Sequence, residues 1–271
     1  MNCKNAITSL SLALSLTIPA ATAVAQPADP KWSGAYIGIG FGGKFAQAQL
    51  SGIQFAGPNT TIQPNQNSLD VNAKAARIDI LPGHDWQIGN RFLIGMKGEI
   101  GWGLNGRTSN NLTPTSFTVN GTTYTPTGSQ LNNAVYTYTS RLNLDSTIGM
   151  RLGYVQGKTL LYVPVGLAIE RMNTSLINPP AAGAITVGTN TVVLAPGYST
   201  SKTNTKTGVA VGIGVERMLG ARWRLRGEWR YVGFPSETQT RVSNVNGAYS
   251  ATNGLSLREN VVNVGITYRF R

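Results

Sequence analysis

The amino-acid sequence predicts an all-β fold, an eight-stranded antiparallel up-and-down barrel. Three observations predict it. Eight stretches alternate between apolar and polar or small residues with a period of two. The links between them alternate between tight turns and long polar loops. Nearly all the charge inside the stretches falls on one face. The chain has 271 residues, 32 of them glycine and 13% charged, and it shows no long helical period, so all-β is favoured from composition onward.

The N-terminus comes first in the chain and sets the compartment. Lys4 gives a positive start, Ala6 to Ile18 is an apolar, Ser-rich core, and Pro19 leads into Ala23-Val24-Ala25, the small-x-small pattern of a secretory cleavage site. Cleavage is expected after Ala25, so that the mature chain begins at Gln26 with a net charge of +11, one less than the +12 of the whole chain. The apolar run is about half as long as a spanning helix requires. Cys3 is the single cysteine. It lies ahead of the cleavage site, which leaves the mature chain without a thiol, a disulfide or a cysteine-based metal site.

From Trp32 onward the alternation repeats. Strand one, Gly34 to Phe45, sets Ala35, Ile37, Ile39, Phe41 and Phe45 against glycines and Lys44. Strand two, Ala75 to Ile88, opposes Ile78, Ile80, Trp86 and Ile88 to Arg77, Asp79, Asp85 and Gln87; Pro82 cannot donate to a ladder and marks a bulge there. Strand three, Arg91 to Leu104, opposes Phe92, Ile94, Met96, Ile100 and Trp102 to Lys97, Glu99 and glycines. Strand four, Arg141 to Tyr154, places Leu142, Leu144, Ile148, Met150, Leu152 and Tyr154 opposite Arg141, Asn143, Asp145 and Arg151. Strand five, Leu160 to Arg171, alternates Leu161, Val163, Val165, Leu167 and Ile169 with Tyr162 and Glu170, and Pro164 is its weak point. Strand six, Gly208 to Arg217, opposes four aliphatics to glycines and Glu216. Strand seven, Arg222 to Phe234, sets Trp223, Leu225, Trp229 and Tyr231 against Arg222, Arg224, Arg226, Glu228 and Arg230. The last strand, Asn260 to Phe270, alternates Val262, Val264, Ile266, Tyr268 and Phe270 with Asn263, Gly265, Thr267 and Arg269.

Tight links at Gly89-Asn90, Gln156-Gly157-Lys158 and Leu219-Gly220-Ala221 have hairpin chemistry. The other four links are long, roughly Gln47 to Lys74, Asn105 to Ser140, Asn173 to Lys206 and Pro235 to Arg258. Their Asn, Thr, Ser, Gly and Pro content is that of mobile, solvated chain. All short turns therefore lie at one end with both termini, and all long loops at the other.

Which face points outward decides between a soluble and a membrane barrel, because the two have opposite signs. Eight of the eleven acids share the glycine face with bases, an arrangement that suits the narrow interior of an eight-stranded barrel whose long side chains need room and ion-pair partners. The expected interior network comprises Lys97, Glu99, Arg151, Glu170, Glu216, Arg224, Arg226, Glu228, Arg230 and Glu259, with Arg141, Arg222 and Arg269 on the same face. The aromatics form two girdles. Trp86, Phe92, Tyr154, Trp223, Tyr268 and Phe270 lie at the short-turn end, and Phe41, Trp102 and Tyr231 near the other. Phe92 and Trp102 stand about 25 Å apart along the membrane normal after tilt, the height of an outer-membrane apolar band. The domains then read as a signal peptide at 1–25, a periplasmic segment at 26–33 and a transmembrane barrel at 34–271 in the cell outer membrane. On this facing, Ile94→Arg on the lipid side should cost about 2–4 kcal/mol and Gly95→Ser should be milder.

Trp32-Ser33-Gly34-Ala35-Tyr36-Ile37-Gly38, Gly83-His84-Asp85-Trp86-Gln87, Arg151-Leu152-Gly153-Tyr154 and Tyr268-Arg269-Phe270 together resemble the small outer-membrane β-barrel family of Gram-negative bacteria. More narrowly they are similar to the opacity-porin-like surface antigens of rhizobia and their relatives. The resemblance implies an eight-stranded surface protein, variously labelled porin, adhesin or antigen. It also implies that Asn263, Gly265, Tyr268 and Phe270 form the signal read by the barrel assembly machinery, here followed by Arg271.

Three functions of different classes follow: a structural or interaction protein meeting the outside through its long loops, a narrow ion-conducting porin, and a lipid A-modifying enzyme. The first is favoured, because eight strands leave an interior about filled by side chains. His84, the single histidine, sits at the turn end with lipid-facing parity and reads as an interfacial ring. No catalytic, cofactor-binding or metal residue is expected, and no phosphate loop precedes a helix. The expected partners are outer-membrane lipids and lipopolysaccharide, the assembly machinery and an unnamed external molecule. Nucleic acid is not among them, since the charges lie within strands despite a pI near 10.1.

Overall fold

A computed structural model describes residues 32–57, 60–64, 68–125, 136–177, 184–187, 190–193, 199–242 and 250–270. The expected cleavage point at Ala25 and Gln26, and Arg271, lie outside these. In chain order the strands are β1 (Gly34–Gly57), β2 (Thr60–Pro64), β3 (Ser68–Ile80), β4 (Gly83–Ile88), β5 (Phe92–Leu104), β6 (Arg107–Leu112), β7 (Pro114–Val119), β8 (Thr122–Tyr124), β9 (Tyr136–Gln156), β10 (Thr159–Ile177), β11 (Ala184–Val187), β12 (Asn190–Val193), β13 (Ser199–Met218), β14 (Trp223–Val242) and β15 (Ser250–Arg269). The main sheet runs β15-β14-β13-β10-β9-β5-β3-β1 and closes through β1 on β15. The result is an antiparallel ring of eight staves, with β4 completing the stave that β3 begins by pairing with β1 and β5. Closure removes the exposed ladder edges that could not be solvated in lipid.

The turn ends are tight for a local reason. Gly89 and Gly157 have φ of 62° and 57°, left-handed values that a hairpin turn requires and a side chain resists. Around the ring below the long loops, the outward residues are apolar. Ile39, Phe41, Ile148, Leu152, Val165, Leu167, Val211 and Ile213 are all exposed. Facing lipid, this surface is satisfied; facing water it would be a patch far larger than soluble proteins carry. Ile148 lies midway along the outward row from Leu144 to Tyr154 and is 61% exposed. Ile148→Arg is therefore expected to cost about 2–4 kcal/mol, measured as a fall in unfolding free energy in lipid vesicles. Ile94 is only two residues from Phe92 of the lower girdle, so an arginine there reaches the interface more easily and the expected cost is smaller.

Three expectations about the strands need correction. The strand expected from Ala75 to Ile88 is broken at Leu81-Pro82 into β3 and β4. Proline has no N–H to give the ladder, yet its carbonyl accepts from the Gly98 N–H at 2.8 Å, and Leu81 N–H donates to Gly38 O at 2.9 Å. The break therefore leaves these backbone groups satisfied. In β9, Leu144 pairs with Arg171 and Leu142 with Met172, so Asn143 is one extra residue and side-chain parity reverses above it. Leu142 consequently points inward, at 2% exposure, while Arg141 and Asn143 point outward.

The third correction is the largest. Much of the chain expected to be mobile loop continues the staves instead. β1 runs to Gly57, β9 starts at Tyr136, β10 runs to Ile177, β13 starts at Ser199, β14 runs to Val242 and β15 starts at Ser250. Along β1 the inward row changes from Lys44 to Ala46, Ala48 and Leu50, while the outward row changes from Phe45 to Gln47, Gln49 and Ser51. In β3 the inward row is Leu69, Val71, Ala73 and Ala75 before Arg77 and Asp79. Geometry stays continuous while polarity inverts, because the solvent outside has changed from lipid to water. Twelve residues of β1 above Phe45 rise about 30 Å beyond the apolar band.

The upper storey is not a simple ring. Pairing of β13 with β14 stops at Val209 and Gly233, and pairing of β3 with β5 stops at Ala76 and Leu104. Above those points the described staves form two leaves, β14-β15-β1-β3 and β6-β9-β10-β13. Their inner faces share one apolar cluster that includes Leu50, Phe55, Leu255 and Leu257 from the first leaf and Tyr136, Leu142, Met172 and Leu176 from the second. Phe55 stacks on Tyr136 across the divide at 4.1 Å between centroids. Burial of such side chains supplies about 25 cal/mol per Å2, which makes this storey a soluble-type β-core standing on a membrane-type barrel.

Candidate functional site

Below that core, the lumen of the ring is filled by charge. Eight acids and seven bases are buried there: Asp79, Asp85, Glu99, Asp145, Glu170, Glu216, Glu228 and Glu259 with Lys44, Arg77, Lys97, Arg151, Arg224, Arg226 and Arg230. Strand alternation brings them inward, and glycines make the space. A Cβ on Gly101 would stand 2.0 Å from the Arg77 guanidinium, and one on Gly214 would stand 2.2 Å from the Tyr162 ring. The same test corrects the expectation for Gly95→Ser. A Cβ there would meet Asp85 Oδ1 at 2.4 Å, so serine must displace a carboxylate that holds Arg151, and the substitution is not mild.

The charges form three connected tiers. At the short-turn mouth, Arg151 donates to Asp85 through Nε at 2.9 Å and Nη2 at 2.7 Å, and to Glu216 Oε1 through Nη1 at 2.5 Å. Its guanidinium lies 4.9 Å from the ring centres of both Tyr36 and Tyr162. Arg224 donates to Asp85 Oδ2 at 2.9 Å and to the Trp32 carbonyl at 2.8 Å, with its guanidinium 4.6 Å over the Trp32 ring. Trp32 is wholly buried among Leu93, Val155, Leu160, Tyr162 and Met218, and this apolar floor closes the mouth.

In the middle tier, Glu228 accepts from Lys97 Nζ at 2.5 and 2.7 Å, from Tyr162 Oη at 2.8 Å and from Arg226. Glu99 accepts from Arg230 at 2.7 Å and from Arg77 at 2.9 Å, and so ties the middle tier to the upper one. There Arg77 also bonds Asp79 at 2.7 Å and Asp145 at 2.9 Å. Lys44 meets Asp145 at 2.5 Å, Glu170 at 2.6 Å and Glu259 at 3.8 Å. The cavity left between Lys97, Thr147, Pro164 and Arg230 is about 10 Å3, room for one water at most.

All ten residues expected in the interior network are buried in this column. Arg141, Arg222 and Arg269 are not. Arg141 is turned outward by the Asn143 bulge. Arg222 lies in the last turn and donates to Tyr268 Oη at 2.6 Å, and Arg269 donates to the carbonyls of Ser33 at 3.3 Å and Ala221 at 2.9 Å on the short-turn rim. Of the residues expected to form the assembly signal, Asn263 is buried and reaches Glu99 at 3.4 Å, Gly265 faces the lumen, and Tyr268 packs between Trp223 and Phe270. His84 packs on Trp86 with ring centres 4.4 Å apart. Sequence reasoning passed over Trp32. Its signal was an aromatic directly before the first strand at the mouth of a barrel. Among the described residues no group of His, Cys, Asp or Glu is placed to hold a metal ion.

The closed ring, its apolar outer wall and its ion-paired lumen meet a sequence-level finding: the family model of the outer membrane protein beta-barrel domain matches residues 10–270. The chain belongs to this family. It is an outer-membrane β-barrel, and the side with the short turns and both ends of the ring is periplasmic. None of the curated proteins compared matches the chain. Solved structures similar to it include the outer membrane protease OmpT from Escherichia coli, at 10% identity over 88% of this chain and 97% of that one, with a TM-score of 0.49. Another is Ail, the attachment invasion locus protein of Yersinia pestis, in complex with the heparin analogue sucrose octasulfate, at 11% identity over 88% and 99%, with a TM-score of 0.35. A third is OprG from Pseudomonas aeruginosa, at 13% identity over 88% and 97%, with a TM-score of 0.44. No activity is carried over from these likenesses to the outer-membrane barrel described here.

Proposed function

We propose that this outer-membrane barrel is a non-conducting surface protein that acts by presenting its extracellular storey to molecules outside the cell. The observation that carries the reading is the sequence of three closures along one axis. Trp32 and its neighbours floor the lumen, the ion-paired tiers fill it, and the two apolar leaves seal its top. A pore function gains nothing from a packed core about 30 Å tall set on top of the channel mouth, in which apolar side chains surround a buried Arg241 bonded to Asn253, Thr174 and Gln239. A presenting function does, because a rigid core carries the upper ends of the staves, from which the connections spring, far from the membrane. The hairpins β7–β8 and β11–β12 belong to those connections, and β7 is tied back to β1 through β2.

The test has two arms. Purified protein in a planar bilayer is expected to pass no steady current above background. In vesicles, it is expected to bind extracellular-matrix or host-surface preparations through the upper storey, with binding lost when residues 178–198 are replaced by a short Gly-Ser link and the barrel still shows heat-modifiable migration. Steady single-channel conductance by the unaltered protein would overturn the reading.

A further inference from the structure

The lumen holds eight acids and seven bases, and Lys206 and Arg241 buried in the upper storey bring the buried bases to nine, so the inside is close to neutral and most of the chain's excess positive charge lies elsewhere. One part of that outside is built as a site. Arg107 on β6 and Arg141 on β9 are direct cross-strand partners, both exposed on the outer wall of the second leaf. Like charges directly opposite one another on a sheet are destabilising. Among the described residues, neither guanidinium has a hydrogen-bond or ion-pair partner. In a protein that buries eight of its acids in ion-paired tiers, an unanswered arginine pair stands out.

The surroundings of the pair are polar and concave. The row continues through Asn173 on β10 to Thr203 on β13, and the row above it is Ser109, Thr139, Ser175 and Ser201. Asn173 donates to Thr203 Oγ1 at 3.2 Å and accepts from Ser201 Oγ at 3.4 Å. Two adjoining hollows of about 260 and 580 Å3 share Arg107, Arg141 and Asn143 in their linings. Height is the last element. Leu104 and Leu144, the uppermost lipid-facing residues of these two staves, precede Arg107 and follow Arg141 by three residues each. The arginines therefore stand about 8 Å above the apolar band, at the level of lipid headgroups.

We propose that Arg107 and Arg141 form a binding site for a phosphate of lipopolysaccharide in the outer leaflet. Two guanidinium forks can each give a phosphate two parallel N–H donors, Asn143 and Asn173 can meet the sugar hydroxyls, and the acyl chains lie along Leu104, Leu144 and Trp102 below. The bound dianion removes the repulsion between the arginines. This inference is independent of whether the barrel conducts.

The experiment is native mass spectrometry of the full-length mature barrel with bisphosphorylated lipid A, or with the same lipid enzymatically dephosphorylated, in mixed micelles. Wild type is expected to retain the phosphorylated form at least about tenfold better, a difference of about 1.4 kcal/mol. Arg107→Gln with Arg141→Gln should abolish the preference, and Lys74→Gln with Arg258→Gln, which removes two exposed bases from the opposite leaf, should keep it. Heat-modifiable migration checks that each variant is folded, and Arg107→Lys with Arg141→Lys, which keeps the charge, gives a second variant if the first does not fold; it should retain the preference partly. Three results would overturn the proposal: a preference unchanged in the folded arginine variant, an equal loss in the opposite-leaf variant, or inorganic phosphate binding as tightly as the lipid.

Discussion

Glu228→Gln is expected to lower the unfolding free energy of the barrel by about 3–5 kcal/mol, the cost of removing one partner from a buried ion pair, without opening a pore. Glu228 accepts from Lys97, Arg226 and Tyr162 and lies 3.6 Å from Arg230. The glutamine leaves Lys97, Arg226 and Arg230 to share Glu99 with Arg77, and its contacts to Lys97 and Arg226 are already long, at 3.7 and 3.8 Å. Seen from the sequence alone, loss of this acid would either loosen a plug and admit anions or merely lower stability. The structure adds a floor at Trp32 and an apolar roof, neither of which contains Glu228, so the lumen remains sealed at both ends. Urea unfolding in vesicles reads the first effect and planar-bilayer recording the second. Anion-selective current through the variant would mean that the floor and roof are not barriers.

Leu257→Asp tests the roof itself and should separate the two storeys. Leu257 is fully buried and pairs with Ala48 on one side and Phe234 on the other. A carboxylate there replaces a side chain of the apolar cluster and must give up its water, which costs about 4 kcal/mol or more. The expected outcome is local, because the polarity of the staves changes below this level. Protease added outside intact vesicles should cleave the upper storey of the variant rapidly and leave a protected core of membrane strands. If the upper storey resists as in wild type, the leaves are not held by this cluster. If the variant fails to insert at all, the storeys do not fold separately.

The lower barrel was legible because lipid outside and charge inside give opposite signs to alternate residues, and eight staves repeat that contrast. The upper storey was illegible for the same reason. Above Phe45, Gln47, Gln49 and Ser51 replace the greasy row, and a reader following apolar residues as markers of the outer face loses the strand where they cross to the inner one. The alternation had not stopped; it had changed sign. Asn143 was a different failure. A single inserted residue is invisible to periodicity when leucines stand on both sides of it, and Leu142 and Leu144 do. The interior network was read from charge and parity, but its connections, such as Glu99 joining Arg77 to Arg230, depend on reach across the lumen. Trp32 lies outside any alternating stretch, and only three dimensions place it under Arg224.

The closing pair of staves has a kinetic consequence. Tyr36 is registered with Arg269 and Lys44 with Val261, so the ladder that completes the ring joins the earliest and latest parts of the barrel. Contacts of such long sequence separation form slowly, because the entropy of bringing the chain ends together is spent before any reward arrives. Here the reward is delayed further. Lys44 meets Glu259, and Arg224 meets the carbonyl of Trp32, only once that last seam is shut. Until then the charges of the lumen are stranded beside hydrocarbon. Closure of the membrane ring should therefore be close to all-or-none in time, with a half-zipped ring a state the membrane expels rather than one it stores.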